Sequence, residues 1–170
     1  AASDVYKRQV VTNADNKVSN TVSDNLGRTV ETRVMDGAVA VGKMTYSYRA
    51  DGLLLTTKDS LANVTTMAYD DLGRRLSLMD PDAGKTTTAY NGFGEVRIET
   101  DSMLAATTFS RDILGRTTET QVVEPLDANT GRAARTRKST FGWDSAANGI
   151  GKLDTSASYD GVAKAFLYDD

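Results

Sequence analysis

Residues 69–90 read Tyr69-Asp70-Asp71-Leu72-Gly73-Arg74-Arg75-Leu76-Ser77-Leu78-Met79-Asp80-Pro81-Asp82-Ala83-Gly84-Lys85-Thr86-Thr87-Thr88-Ala89-Tyr90. This stretch decides the fold. Tyr69–Gly73 is a tight turn, because Asp can cap backbone amides and Gly accepts positive φ. Arg74–Met79 is a strand, with Leu76 and Leu78 alternating against Arg75, Ser77 and Met79. Asp80–Gly84 is a second turn, with Pro and Gly where turns favour them. Lys85–Tyr90 returns as a Thr-rich strand. About ten residues per strand and turn is the spacing of an antiparallel meander.

The pattern repeats outward from this unit. Gly52, Gly73, Gly94 and Gly115 are 21 residues apart. Asp59, Asp80 and Asp101 keep the same period, as do the Thr-Thr pairs at 65, 86 and 107. Tyr48, Tyr69 and Tyr90 stand four residues before three of the glycines, and Arg111 before the fourth. A fixed period of this length marks a repeat architecture in which each unit packs on its neighbours. Gly27 lies 25 residues before Gly52, and Gly151 lies 36 after Gly115, so the flanking units carry insertions. Asp36-Gly37 and Asp160-Gly161 are expected to be two-residue hairpin turns of the I′ kind. Thr117–Val123 and Arg135–Trp143 form one long hairpin closed by the polar loop 127–131. No helical spacing of apolar residues occurs. Val96 and Ile98 are displaced by one position relative to Leu76 and Leu78. A one-residue offset exchanges the buried face, so either one turn carries a bulge or both faces are partly covered.

Composition excludes much chemistry. The 170 residues contain no Cys and no His, with a net charge of −3. Disulfides, thiolate metal sites and histidine-dependent catalysis are therefore absent from this stretch. No apolar run is long enough to make a transmembrane helix. The acidic balance argues against nucleic-acid and anionic-membrane partners. The 22 threonines and 14 glycines favour strands joined by turns. Residues 1–9, AASDVYKRQ, resemble a translated sequencing adapter and are expected to be a non-native arm. Residues 10–170 are then one repeat segment, expected to be truncated at both ends.

The turn sequence Tyr69-Asp70-Asp71-Leu72-Gly73-Arg74 resembles the YD repeat of RHS proteins. Asp24-Asn25-Leu26-Gly27-Arg28 and Arg111-Asp112-Ile113-Leu114-Gly115-Arg116 resemble it in degenerate form. Residues 143–153 resemble a second sequence style of the bacterial members. Ser23 and Arg111 at the Tyr position, and Arg49 and Asn91 at the Asp position, depart from the pattern as ordinary drift at turns. The resemblance runs from about Val22 to Asp170. It implies an all-β fold: antiparallel hairpins of about 21 residues forming a curved open sheet, a patch of an RHS-type β-shell. Relatives are teneurin-like proteins and the B and C components of bacterial Tc toxins. The implied function is encapsulation of a C-terminal toxin by a secreted or cell-surface bacterial protein. The implied partners are the neighbouring repeats of the full-length chain and the enclosed toxin. A cell-surface carbohydrate-binding module is the alternative.

Candidate chemistry is weak by comparison. Asp80, Asp82 and Gly84 resemble the opening of a calcium loop, but the Glu required eight residues after the Gly is Gly92. Gly84-Lys85-Thr86 lacks the first glycine of a P-loop. Gly92-Phe93-Gly94 and Gly149-Ile150-Gly151 lack the third glycine of a dinucleotide fingerprint. Asp70, Asp71, Asp80 and Asp82 recur at opposite ends of a hairpin, as turn residues do, and not as a glycosidase pair. Arg132, Arg135, Arg137 and Lys138 form a local basic cluster that could touch nucleic acid or an acidic payload; a solvated, insertion-bearing hairpin loop is the expectation. Asn63-Val64-Thr65 is a glycosylation sequon. The tyrosines could stack sugars or pack against neighbouring hairpins, and packing is the expectation. No catalytic, cofactor or metal residues are assigned, and no enzymatic activity is expected here.

Overall fold

The computed structural model describes residues 7–12, 18–37 and 39–169. All described secondary structure is strand and turn, and the fourteen strands follow chain order in one antiparallel, unclosed sheet. The chain divides into two compact units, Ala1–Gly84 and Lys85–Asp170. The first contains β1 (Lys7–Thr12), β2 (Val18–Ser23), β3 (Thr29–Asp36), β4 (Val39–Tyr48), β5 (Leu54–Asp59), β6 (Val64–Tyr69) and β7 (Arg75–Asp80). The second contains β8 (Gly84–Tyr90), β9 (Val96–Thr100), β10 (Ala106–Arg111), β11 (Thr117–Glu124), β12 (Arg135–Trp143), β13 (Leu153–Ala157) and β14 (Ala163–Ala165). Of the adapter-like stretch, residues 1–6 lie outside the described residues. Lys7, Arg8 and Gln9 pair with Ser23, Val22 and Thr21.

One turn design recurs. At 70–74 the Asp70 amide donates to the Arg74 carbonyl (3.0 Å) and the Gly73 amide to the Asp70 carbonyl (3.1 Å). Asp70 Oδ1 accepts the amides of Leu72 and Arg74, and Oδ2 accepts Arg74 Nε at 2.6 Å. The three-residue loop ends with Gly73 at φ 79°, the left-handed conformation that such a loop demands. The Asp24 and Asp112 turns repeat these bonds. At the other end of the hairpins, Asp59 and Asp101 cap the same way. There Ala62 (φ 68°) and Leu104 (φ 64°) occupy the left-handed position without being glycine.

Two expected hairpin turns differ from the sequence reading. β3 extends through Asp36 and β4 starts at Val39, so the connection falls at 37–38, one residue later than expected; Ala38 lies outside the described residues. Asp160-Gly161 is not a two-residue I′ turn. The Ser158 amide donates to the Val162 carbonyl, which closes a three-residue loop with Gly161 alone at positive φ. The Ser158 hydroxyl held by Asp160 Oδ1 favours that longer loop. The long β11–β12 hairpin forms as expected, with an Asp127–Arg132 bridge closing its loop.

The offset between Leu76 and Val96 has a definite explanation. The turns at Gly27, Gly52, Gly73, Gly94, Gly115 and Gly151 are each followed by a β-bulge at the same place. Tyr69 pairs with Arg75 and Ala68 with Ser77, leaving Leu76 unpaired. Val30 and Leu55 are the equivalents in the first unit, and Arg97, Thr118 and Asp154 in the second. Because the bulge is common to all, it does not separate the Leu76 unit from the Val96 unit. Instead both faces are half covered. Leu76 and Met79 are exposed, whereas Leu78, Val96 and Ile98 are partly buried. No hydrophobic side chain among the described residues is fully buried. A single sheet layer with no second layer on it cannot bury either face. Order within each unit therefore rests on the strand ladders, the capped turns and contacts between successive hairpins.

Candidate functional site: turn-to-turn clasps and a basic hairpin

The aromatic residue of one turn locks onto the preceding turn. Tyr48 Oη donates to the Thr29 carbonyl at 2.6 Å, while the Arg28 guanidinium lies 5.0 Å from the Tyr48 ring centre. Arg28 Nη1 also donates to the Arg49 carbonyl, 21 residues on. The second unit repeats the device. Trp143 Nε1 donates to the Thr117 carbonyl (2.9 Å) beneath Arg116, and Tyr168 Oη donates to the Leu153 carbonyl (2.6 Å) beneath Lys152. In each case the cation follows the turn glycine by one residue and the accepting carbonyl by two. In all three the cation covers the ring and the ring's polar tip satisfies a backbone carbonyl, and in the first two an Asp, Asp24 or Asp112, holds the cation.

Departures from the pattern compensate one another and are not simple drift. Leu53 takes the cation position after Gly52, so Tyr69 lacks a cation from that turn; its hydroxyl lies 3.6 Å from Met67 Sδ. Arg49, at the Asp position, supplies the charge instead and donates to the Asp70 carbonyl. Its own partner is Asp51, whose carboxyl it holds down at a pKa of about 2. In the 91–95 turn Asp becomes Asn91, Arg becomes Glu95, and the following Tyr becomes Arg111. Asn91 Nδ2 donates to Glu95 Oε2 at 2.7 Å, and Arg111 Nε lies 3.8 Å from the same oxygen. The polarity of the clasp is thus reversed with its position kept. Glu95 also lies over Gly115, where a Cβ would come within 2.6 Å of Glu95 Oε1.

Arg116 joins two turns. It pairs with Asp112 and, at 2.6 Å, with Asp144. The Arg116 guanidinium and the Gly151 amide lower the Asp144 pKa to about 2. This tie spans the long β11–β12 hairpin and preserves the clasp across it.

The carboxylates considered as acid–base or calcium groups are committed to turns. Asp80 Oδ1 accepts the amides of Asp82 and Ala83, and Oδ2 accepts the Thr65 hydroxyl. Asp70 caps its own turn at the other end of β7. Among the described residues, no group of three or more acidic side chains is arranged to hold a metal ion. Asn63 of the sequon donates its Nδ2 to Asp59. Gly94 and Gly151 take the left-handed turn position, as the plain turn reading expects.

The basic cluster is more organised than its sequence suggests. Glu124, only 5% exposed, faces Arg135 across the hairpin. Its carboxylate receives Arg135 Nε at 2.6 Å, Arg132 at 3.4 Å, and Arg137. Lys138 stands apart on the other face and pairs with Glu119 at 2.6 Å. Glu124 escaped the sequence reading; the hairpin register would have revealed it, since 124 and 135 are equidistant from the loop centre. The Arg116–Asp144 tie had no comparable signal, because the insertion hides its spacing.

No family model matches this sequence, and no curated protein matches it. Solved structures do. A crystal structure of TcdB2-TccC3-TEV aligns over 96% of this chain at a TM-score of 0.68 and 13% identity. TcdB2-TccC3-Cdc42 aligns over 92% at 0.63 and 13%. TcdB2-TccC3 without its hypervariable C-terminal region aligns over 96% at 0.65 and 14%. This chain spans about a tenth of the length of those chains, and at such identity the likeness is one of fold: an open antiparallel meander of the kind found in these TcdB2-TccC3 chains.

Proposed function

We propose that this chain is a stretch of wall from an RHS/YD-repeat shell that encloses a C-terminal toxin and protects it until delivery outside the producing bacterium. The observation that carries this reading is the clasp, which ties successive hairpins within each unit and follows the 21-residue period of the turns where that period is kept. Such a device extends a sheet without needing a core. The fold likeness to TcdB2-TccC3 chains supports it. Enclosure, not catalysis, is the role of this segment; the commitment of Asp70 and Asp80 to turn amides supports that. Tyr48 is covered by Arg28 and is not a free platform for a sugar ring.

The test is to read the complete frame from the source DNA and express it. Repeats that continue for hundreds of residues into a small unrelated domain, with that domain resistant to added protease until the wall is cut, support the reading. Repeats that stop early or lead into a wall anchor overturn it.

A further inference from the structure

The two faces of the β11–β14 sheet differ in charge. Strand register places Glu124, Arg135, Arg137 and Ser139 on one face. Phe141, Ser156 and Lys164 continue that face across β12, β13 and β14. Arg132 joins it through Glu124. Four cations therefore share a face with two carboxylates, Glu124 and Asp154, the latter two residues before Ser156 on β13, and Asp160 lies at its rim, engaged with Ser158. The opposite face carries Glu119 and Lys138, which neutralise each other. Each carboxylate offsets one cation, so a small excess of positive charge remains on the first face, concentrated at Arg132, Arg135 and Arg137 around Glu124. Arg132 and Arg135 keep roughly half of their side-chain surface exposed, 44% and 51%. Arg137 lies over the Tyr159 ring at 5.1 Å. Beside them is a hollow of about 220 Å³ lined by Ser139, Phe141, Ser156, Ser158, Val162 and Lys164.

We propose that this face is a docking surface for an acidic peptide segment, with its carboxylates received by Arg132, Arg135 and Lys164 and an adjoining side chain seated in the hollow. Charge complementarity selects the occupant. Guanidinium groups present paired donors that match carboxylate geometry. The serine hydroxyls and the Phe141 ring suit an amphipathic peptide better than a regular row of phosphates. The surface is local to the second unit and stands whether or not the wall closes into a shell.

The experiment is fluorescence anisotropy of a labelled oligoglutamate peptide titrated with the full chain at low and physiological salt. Oligolysine and oligothymidylate serve as competing probes. Lys164→Glu is expected to weaken oligoglutamate binding about tenfold, and Arg132→Gln less. Lys138→Glu makes the same charge change on the opposite face and is expected to alter binding by less than about twofold. Circular dichroism checks that each variant stays folded, and Lys164, at an exposed edge, is the safest of them. No binding by the unaltered chain, equal losses from Lys164→Glu and Lys138→Glu, or preference for oligothymidylate would each overturn the proposal.

Discussion

Replacing Tyr48 with Phe removes one oxygen and tests the clasp at its centre. The hydroxyl donates to the Thr29 carbonyl at 2.6 Å, and both residues are partly buried. Its loss leaves that carbonyl without the partner that joins two hairpins. The net value of such a bond is about 1 kcal/mol. The ring beneath Arg28 survives in Phe, so the cation–π contribution is largely retained. Tyr48→Leu removes that as well, adding about 0.5–1 kcal/mol. With a urea slope of about 2 kcal/mol per molar, Tyr48→Phe shifts the unfolding midpoint down by about 0.5 M. Tyr69→Phe is the internal control, because the Tyr69 hydroxyl meets only the weak acceptor Met67 Sδ at 3.6 Å. Its expected shift is close to zero. Urea unfolding followed by circular dichroism, with slopes compared across variants, reads both. The reasoning fails if Tyr48→Phe is neutral, or if Tyr69→Phe costs as much.

Leu104→Gly is expected to stabilise the chain by about 0.5 kcal/mol, because relief of a left-handed branched residue outweighs the added freedom of the unfolded chain; a lowered urea midpoint would refute this. Glu95→Arg alone sets a cation against Arg111 and is expected to destabilise, whereas adding Arg111→Tyr and Asn91→Asp recovers the loss by rebuilding the usual clasp. A double-mutant cycle showing simple additivity would contradict that coupling. Asp144 has a folded pKa lowered to about 2, below its ordinary 3.8, so its contribution is present above pH 4 and is lost as pH falls towards 2. Asp144→Asn should therefore flatten the acid branch of the stability curve in that window and leave the slope near neutrality unchanged.

The period of 21 and the turn chemistry made the meander legible in the sequence, because each turn must place an Asp cap and a left-handed residue at fixed positions. Strand boundaries followed within a residue: β7 runs from Arg75 to Asp80 where Arg74–Met79 was expected. The bulge after the repeat-turn glycines was not legible, since nothing in Val30, Leu55 or Arg97 marks an unpaired residue. The Asp160-Gly161 turn was misread because a dipeptide specifies left-handed backbone without specifying loop length. The clasp was half legible. The tyrosine position repeats visibly, but its acceptor is a backbone carbonyl that leaves no trace in side-chain spelling. Asn91 and Arg111 looked like separate departures and became, with Glu95, one reversed contact only when the turns were placed side by side.

Electron cryo-microscopy of the complete protein tests the central claim most directly. The account expects a closed, hollow wall one sheet thick, in which the Tyr48–Arg28 and Trp143–Arg116 contacts tie successive hairpins and separate density lies inside. A solid rod, or a sheet whose two faces are both covered by other domains of the chain, would contradict it.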